Sequence, residues 1–285
     1  MTSNAVEAIV VAYGRPDLVD RLLARIAPDL RVVVVDNSRL DAVRAVAAQC
    51  GADYVDPGGN VGFAAGVNLG LQRLGSTRCD VLLVNPDVDI DVETVRTLSG
   101  FLRLPGNEEV GAVSPRLLDV DGREQRVVWP FPSPSRAWFQ AVGLGRLPAR
   151  RTFVVGAALL LRREALEAVG PFDERFFLYA EEADWQLRAQ RAGWRSGLCP
   201  HAVARHEGAA SSDDTVRRET LFHAAQETYV RKWRGALGWH AYRAGTVLGA
   251  AGRTVVLRGE RRREASRRMS LYRRGPCRVS ASLGE

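Results

Sequence analysis

Two acidic groups in the chain have the types and spacing that support chemistry. Asn85-Pro86-Asp87-Val88-Asp89 follows directly on the apolar run at residues 81–84. Carboxylates at the carboxyl end of a buried strand can hold Mg²⁺ or Mn²⁺ against a diphosphate and offset its charge as it leaves. The same stretch also reads as a polar turn, with Asp91 capping the next helix. The second group is Asp173-Glu174 followed by Glu181-Glu182-Ala183-Asp184-Trp185. Carboxylates this close raise one another's pKa, which suits a general base that takes a proton from a hydroxyl. As an acidic first helical turn they would instead be stabilised by the helix dipole. The aromatic run Phe176-Phe177-Leu178-Tyr179 just ahead of them favours a site over a plain surface turn.

Two further segments carry weaker signals. His201 and His206 lie in Pro200–Gly208 without an HExxH pattern, so a zinc-protease reading has no basis. Asn60-Val61-Gly62-Phe63-Ala64-Ala65-Gly66-Val67-Asn68 brings glycines to the start of a helix. It lacks GxGxxG and does not follow the first strand, which excludes a nicotinamide cofactor on that spacing.

The elements that must position these groups alternate. Residues 8–12, 31–35 and 81–84 are continuous apolar runs that read as buried strands. Helical patterns separate them, the first opening at Arg15-Pro16-Asp17 with Leu18, Leu22, Leu23 and Ile26 on one face. A short strand is expected at 53–55 and a helix at 63–74. This alternation means an α/β, doubly wound, mostly parallel sheet covered on both faces. Ligands bind such sheets beyond the carboxyl ends of the strands, where Asp36, Asn37, Asn85 and Asp87 fall. The second half reads as strands at 110–118 and 154–161, a loop over the site at 129–138, and a helix at 182–192. Helical, increasingly basic sequence follows from residue 215.

The chain has 285 residues, enough for a full core, with ordinary hydrophobic and charged fractions. Its net charge of +7 is concentrated: from Ala251 onward ten arginines face Glu260, Glu264 and Glu285, which accounts for the whole excess. The basic balance is therefore no sign that the folded body grips nucleic acid. The four cysteines form no CxxC pair, which fits a reducing cytosol. The N-terminus does not read as a signal peptide, and the best candidate span, residues 236–257, is broken by His240, Arg243 and Arg253.

Taken in order, the segments resemble the inverting glycosyltransferases of family 2, which have the A-type glycosyltransferase fold, and specifically the rhamnosyltransferase-like branch. The resemblance runs from Ala8 to Ser212. It is carried by Ala12-Tyr13-Gly14-Arg15, Val35-Asp36-Asn37-Ser38, Asn60-x-Gly62-Phe63-Ala64-x-Gly66-x-Asn68 and Leu83-Val84-Asn85-Pro86-Asp87. Gly156-Ala157, Arg162-Arg163 and Val169-Gly170-x-Phe172-Asp173-Glu174-x-Phe176-Phe177 complete it. Gly14 stands where the family has Asn, and Gly170-Pro171-Phe172 where Gly-Gly-Phe is commoner.

The resemblance implies a nucleotide site at Tyr13, Asp36, Asn37, Asn60, Gly62 and Asn68, with Tyr13 stacking on the base and Asp36 and Asn37 bonding the base or ribose. It implies a Mn²⁺ or Mg²⁺ site at Asp87, Asp89 and His206, the imidazole favouring Mn²⁺. Glu182 is the implied base, with Asp184 and Glu181 as substitutes. The expected reaction transfers a sugar, with rhamnose from dTDP-L-rhamnose first, from a nucleoside diphosphate to a hydroxyl of a glycan or polyprenyl-linked acceptor. Other dTDP- or UDP-sugars and a small natural-product acceptor remain open. A sugar nucleotidyltransferase fits less well, because Gly14-Arg15-Pro16 is a poor phosphate loop. A non-catalytic protein gripping a membrane or RNA surface is the alternative of another class. The expected organisation is a catalytic domain at 1–214, a helical segment at 215–252 packed on it, and an Arg-rich tail at 253–285, partly disordered or lying on an anionic membrane surface. The expected location is the cytoplasm, peripheral on the inner face of the plasma membrane.

Overall fold

A computed structural model describes residues 6–75, 79–208 and 214–283. Ser212, where the family resemblance ends, lies outside the described residues, as do 1–5, 209–211, 213 and Glu285. Chain contacts divide the protein into two compact units. The first runs to Trp129 and adds Thr152–Phe177 and the stretch from Glu181. The second comprises Pro130–Arg151, Leu178–Ala180 and the chain from Asp214.

The elements in chain order are β1 (Val6–Ala12), α1 (Pro16–Ile26), β2 (Arg31–Asp36), α2 (Asp41–Gln49), β3 (Asp53–Val55), α3 (Phe63–Leu74), β4 (Asp80–Val84), β5 (Val88–Asp89), α4 (Val92–Arg103) and β6 (Val110–Leu118). They continue with β7 (Val128–Pro130), α5 (Pro134–Ala141), β8 (Thr152–Val154), β9 (Ala158–Leu161), α6 (Arg163–Val169), α7 (Glu181–Arg191), β10 (Arg195–His206), α8 (Thr215–Val256), α9 (Gly259–Arg274) and α10 (Pro276–Ala281).

The first unit is built on an eight-stranded sheet in the order β3-β2-β1-β4-β9-β6-β10-β5. The run β3-β2-β1-β4 is parallel, β9 is antiparallel to both β4 and β6, and β5 is antiparallel to β10. The sheet is thus mixed and mostly parallel, with helices on both faces. Alternation along each strand splits the core in two. Ala8, Val10, Val32, Val34, Leu82 and Val84 face one layer with side chains of α1, α2 and α4. Ile9, Val11, Val33, Val35, Val81 and Leu83 face the other with α3, α6 and α7.

Local sequence explains most boundaries. Pro16 opens α1, whose buried residues Leu18, Val19, Leu22, Leu23 and Ile26 form one stripe. Asp91 caps α4 as expected, its side chain accepting from the Thr94 amide at 2.8 Å. Two expectations fail. The strand expected at 154–161 is two strands, β8 and β9, separated by Val155-Gly156-Ala157. β8 pairs with β7 in a separate two-stranded sheet, whereas β9 pairs with β4 and β6, and the Asn85 amide donates to the Ala157 carbonyl (2.9 Å) in the β4–β9 register. The loop expected at 129–138 contains β7 and most of α5, where Ser133 accepts from the Arg136 amide and Pro134 opens the helix. The cap overrides the local density of prolines.

The second unit is helical. α8 comprises two segments that meet at Gly235, whose φ of 66° no helix interior adopts. Against it pack α5, α9 and α10. Leu271 and Tyr272 of α9 are buried, and the Tyr272 ring lies 5.9 Å from that of Trp239. Leu271 and Tyr272 are therefore core residues, because α9 covers the aromatic face of α8. No helix among the described residues is long and apolar enough to cross a membrane.

Candidate functional site

The acidic turn after β4 is fixed from both sides. The Asn85 amide bonds the Ala157 carbonyl, and the Asp87 carbonyl accepts from the Glu207 amide at 3.1 Å. The pairing of β5 with β10 sets His206 opposite Val88, so the imidazole is carried to the side chain of Asp87. His206 Nε2 lies 3.6 Å from Asp87 Oδ1, with both side chains largely buried.

Gln125 determines which face the imidazole offers. Its Nε2 donates to the His206 carbonyl (2.9 Å), so its Oε1 faces the ring and accepts from Nδ1 (2.9 Å). In the neutral imidazole the proton then sits on Nδ1, and Nε2 turns a bare lone pair toward a carboxylate oxygen. Two lone-pair donors held this close, with the ring oriented from behind, form a donor set that fits a divalent cation. Nothing in the sequence marked Gln125, which lies 81 residues from His206 and in no motif.

Asp89 does not join this pair. Its Oδ1 lies 3.1 Å from Arg25 Nε of α1, and no three His, Cys, Asp or Glu side chains gather as metal ligands among the described residues. The expected three-residue metal set contracts to Asp87 and His206, because Arg25 engages the Asp89 carboxylate.

The three candidate bases share the first turn of α7 but not an environment. Asp184 is fully buried and bonds Arg188 (3.1 Å). Arg188 in turn donates to the carbonyls of Val169 (2.8 Å) and Pro171 (2.7 Å). Asp184 thus anchors a loop through Arg188. Glu181 is buried, and desolvation followed by the neighbouring Glu182 charge pushes its pKa well up, toward the protonated form that cannot accept a proton. Glu182 is the half-buried member of the three. It lies against Gly156, where a Cβ would meet the Glu182 Cβ at 3.4 Å. Gly156 precedes the residue that holds Asn85, so Glu182 and the acidic turn share one short support.

The nucleotide-site candidates divide similarly. Tyr13 follows β1 and is 55% exposed. The Asn37 amide bonds the Ala12 carbonyl at 2.9 Å, and its side chain donates to the Gly62 carbonyl (3.1 Å). Asn37 Oδ1 is left buried without a hydrogen bond, an omission that costs ~1–3 kcal/mol unless a ligand donor fills it. Asp36 is fully buried. It accepts from the Ser38 amide and hydroxyl (2.9 and 2.5 Å), the Leu40 amide (2.9 Å) and the Tyr54 hydroxyl (3.1 Å). Its carboxylate organises the loop after β2 rather than presenting itself to a base.

The Asn60–Asn68 signature is mainly a lock. Asn60 Oδ1 accepts from the Gly62 amide at 3.1 Å. Gly62 has φ 84°, and a side chain there would collide with the Phe177 backbone, whose carbonyl accepts from the Phe63 amide (2.6 Å). Asn68 is buried, donates to the Phe172 carbonyl (2.9 Å) and Glu174 (2.8 Å), and accepts from the Phe172 amide (2.9 Å). These bonds occupy Asn68 and Gly62 in tying α3 to the 172–177 segment, in place of the nucleotide contacts the resemblance implied.

The layered sheet with polar groups at its strand ends is that of a nucleotide-sugar transferase, and comparison with known proteins agrees. Residues 94–260 match the family described as glycosyl transferase family group 2, and the chain belongs to that family. It is an enzyme, a nucleotide-sugar-dependent glycosyltransferase, so the non-catalytic reading is set aside. Among curated proteins it is 28% identical to the low-salt glycan biosynthesis hexosyltransferase Agl10 of Haloferax volcanii, over 78% of this chain and 71% of that one. It is 26% identical to the N-acetylglucosaminyl-diphospho-decaprenol L-rhamnosyltransferase of Mycobacterium tuberculosis, over 83% and 89%. Among solved structures, the mannosyltransferase PcManGT of Pyrobaculum calidifontis, in complex with GDP-Man and Mn²⁺, superposes with a TM-score of 0.59 at 16% identity, covering 98% of this chain and 88% of that one. Glucosyl-3-phosphoglycerate synthase of Mycobacterium tuberculosis, in complex with Mn²⁺, UDP and glucosyl-3-phosphoglycerate, gives 0.52 at 16% identity, with 80% of each chain covered. These likenesses establish the A-type glycosyltransferase fold.

Proposed function

We propose that the protein inverts the anomeric carbon of a nucleoside-diphosphate sugar in a single displacement, with dTDP-L-rhamnose as the first donor to test and a lipid-linked glycan hydroxyl as acceptor. The observation that carries the metal-assisted reading is the Asp87–His206 pair, two lone-pair donors 3.6 Å apart at the sheet edge. Asp87 and His206 would hold Mn²⁺ or Mg²⁺, which offsets the charge of the diphosphate. Two protein ligands leave most of the coordination sphere to the diphosphate oxygens and water. The similar mannosyltransferase and phosphoglycerate synthase, both solved with Mn²⁺, support this choice.

Tyr13 would stack on the base, and Asn37 Oδ1 would accept from it. Glu182 would take the proton of the acceptor hydroxyl as its oxygen attacks the anomeric carbon, and the nucleoside diphosphate leaves from the opposite face. The raised pKa of Glu181 and the Arg188 partner of Asp184 support Glu182 over its neighbours. Rhamnose and a polyprenyl-linked acceptor are favoured by the similarity to the mycobacterial rhamnosyltransferase. The similarity to the Haloferax hexosyltransferase and to mycobacterial galactofuranosyltransferases keeps another sugar as the second reading. A chain serving such an acceptor would work in the cytoplasm, peripherally on the inner face of the plasma membrane.

The test is release of nucleoside diphosphate from a panel of dTDP- and UDP-sugars with Mn²⁺, Mg²⁺ or chelator. Metal-dependent release from dTDP-L-rhamnose above the others is expected. Release that chelator leaves unchanged would overturn the metal reading, and preference for another donor would overturn rhamnose.

A further inference from the structure

The second unit exposes apolar side chains where its sequence has no acid. Pro130–Arg151 contains no Asp or Glu, and neither does the stretch from Thr228 to Gly259. These two acid-free segments are packed together. A Cβ on Gly249 of α8 would come within 2.8 Å of the Ala141 Cα at the end of α5, and Arg253 Nη2 donates to the Gln140 carbonyl at 3.0 Å. The C-terminal ends of α5 and α8 are therefore side by side. From them project Phe139, Val142, Leu144 and Leu147 on one side, and Val255 and Val256, 86% and 79% exposed, on the other. Arg146, Arg150, Arg258 and Arg261, all exposed, flank these groups.

Aliphatic side chains left in water at the ends of two packed helices cost free energy, and the four flanking arginines outnumber Glu260 in the first turn of α9. An anionic lipid surface satisfies both features. Headgroup phosphates meet the guanidinium groups and the aliphatic groups enter the acyl boundary. We propose that the ends of α5 and α8, with the first turn of α9, form a docking surface for an anionic bilayer. The arginines of α9 contribute charge, while its own apolar residues stay in the core. The purpose of the surface, delivery of the enzyme to a lipid-linked acceptor, rests on the reading above; the binding itself does not.

The test uses the full chain with phosphatidylcholine vesicles, with and without phosphatidylglycerol. Partitioning at least roughly tenfold higher onto the anionic vesicles, weakened by salt, is expected. The pairs Val255→Glu with Val256→Glu, and Leu144→Glu with Leu147→Glu, should each lower it roughly tenfold or more. Melting temperature and nucleoside-diphosphate release without membranes should stay unchanged. Equal partitioning onto neutral and anionic vesicles, or variants that bind like the parent, would overturn the proposal. So would a dimer in sedimentation that Val255→Glu with Val256→Glu dissociates, since a second copy would then be the occupant. Anionic binding that persists with no preference for lipid-linked over water-soluble acceptors would overturn the acceptor reading alone.

Discussion

The pair Asp87 and His206 matters because each is oriented by something other than a ligand. The carbonyl of Asp87 and both polar ends of Gln125 are engaged by the backbone or ring around them, so the two donors face each other before any cation arrives. Asp87→Ala removes the charged partner at a sheet edge and should abolish metal-dependent turnover with an unchanged melting profile; near-parental rates would end the metal assignment. Gln125→Leu keeps both proposed ligands but frees the ring. Mn²⁺ affinity, read by paramagnetic titration in the absence of donor, should fall roughly 10- to 100-fold. An unchanged affinity would mean that the strand alone orients His206. Among the carboxylates of α7, Glu182→Gln should lower kcat by roughly a hundredfold or more with donor KM little changed. Asp184→Asn should instead lower stability through the Arg188 clamp. A stable but inactive Asp184→Asn would reverse the assignment.

At the scale of elements, β1, β2 and β4 were readable from the sequence because each is a continuous apolar run ended by a polar turn, whereas β10, which carries His206, was not, because Arg195–His206 is no apolar run. The α3 boundaries, Phe63 and Leu74, follow from the glycine before the helix and the one after it. Less legible were features fixed by partners distant in the chain. Asp89 reads like Asp87 until Arg25 is seen beside it, and Asn68 reads as a ligand-facing amide until its bonds to Phe172 and Glu174 are known. The break between β8 and β9 likewise depends on distant partners, since β8 pairs with β7 and β9 with β4 and β6. Burial also decides protonation in a way the sequence hides, as His223 on α8 illustrates. Its Nε2 accepts from Arg268 (3.3 Å) and its Nδ1 donates to the Tyr272 hydroxyl (3.0 Å). Desolvation, then the Arg268 charge, depresses its pKa from 6.5 to about 3. The folded state therefore refuses a proton that the unfolded chain accepts below pH 6.5. The stability from the neutral ring is complete above that pH and is lost as pH falls toward 3, by up to ~1.4 kcal/mol per pH unit. His223→Gln, which cannot titrate, should show a melting temperature whose gap to the parent narrows between pH 7 and pH 5. A constant gap would mean that His223 is not buried in neutral form.

At the scale of the whole molecule, the basic C-terminal region is both a source of charge and a structural cover. The sequence placed the net charge of +7 there and suggested a separable tail, but α9 closes over the aromatic face of α8. Arg243 donates to the carbonyls of Tyr272 (2.7 Å) and Arg273 (2.6 Å). The Tyr272 ring contacts those of His223, Trp239 and Tyr242, and Cys277 of α10 donates its amide to the buried Glu227 (3.1 Å). A chain ending near Gly252 would lose these partners together, leaving Trp239 and the Glu227 carboxylate to solvent. Loss of a buried aromatic alone costs ~3–5 kcal/mol, a large share of the ~5–15 kcal/mol that holds a typical domain. Truncation should therefore unfold α8 rather than produce an enzyme that merely lacks its charge. Tryptophan emission should shift to the red, and the chain beyond Asp214 should become sensitive to proteolysis at temperatures where the full chain resists. If the truncated protein keeps the parental emission and protease resistance, α9 is an appendage, and removing the whole tail becomes a fair way to ask what its arginines bind.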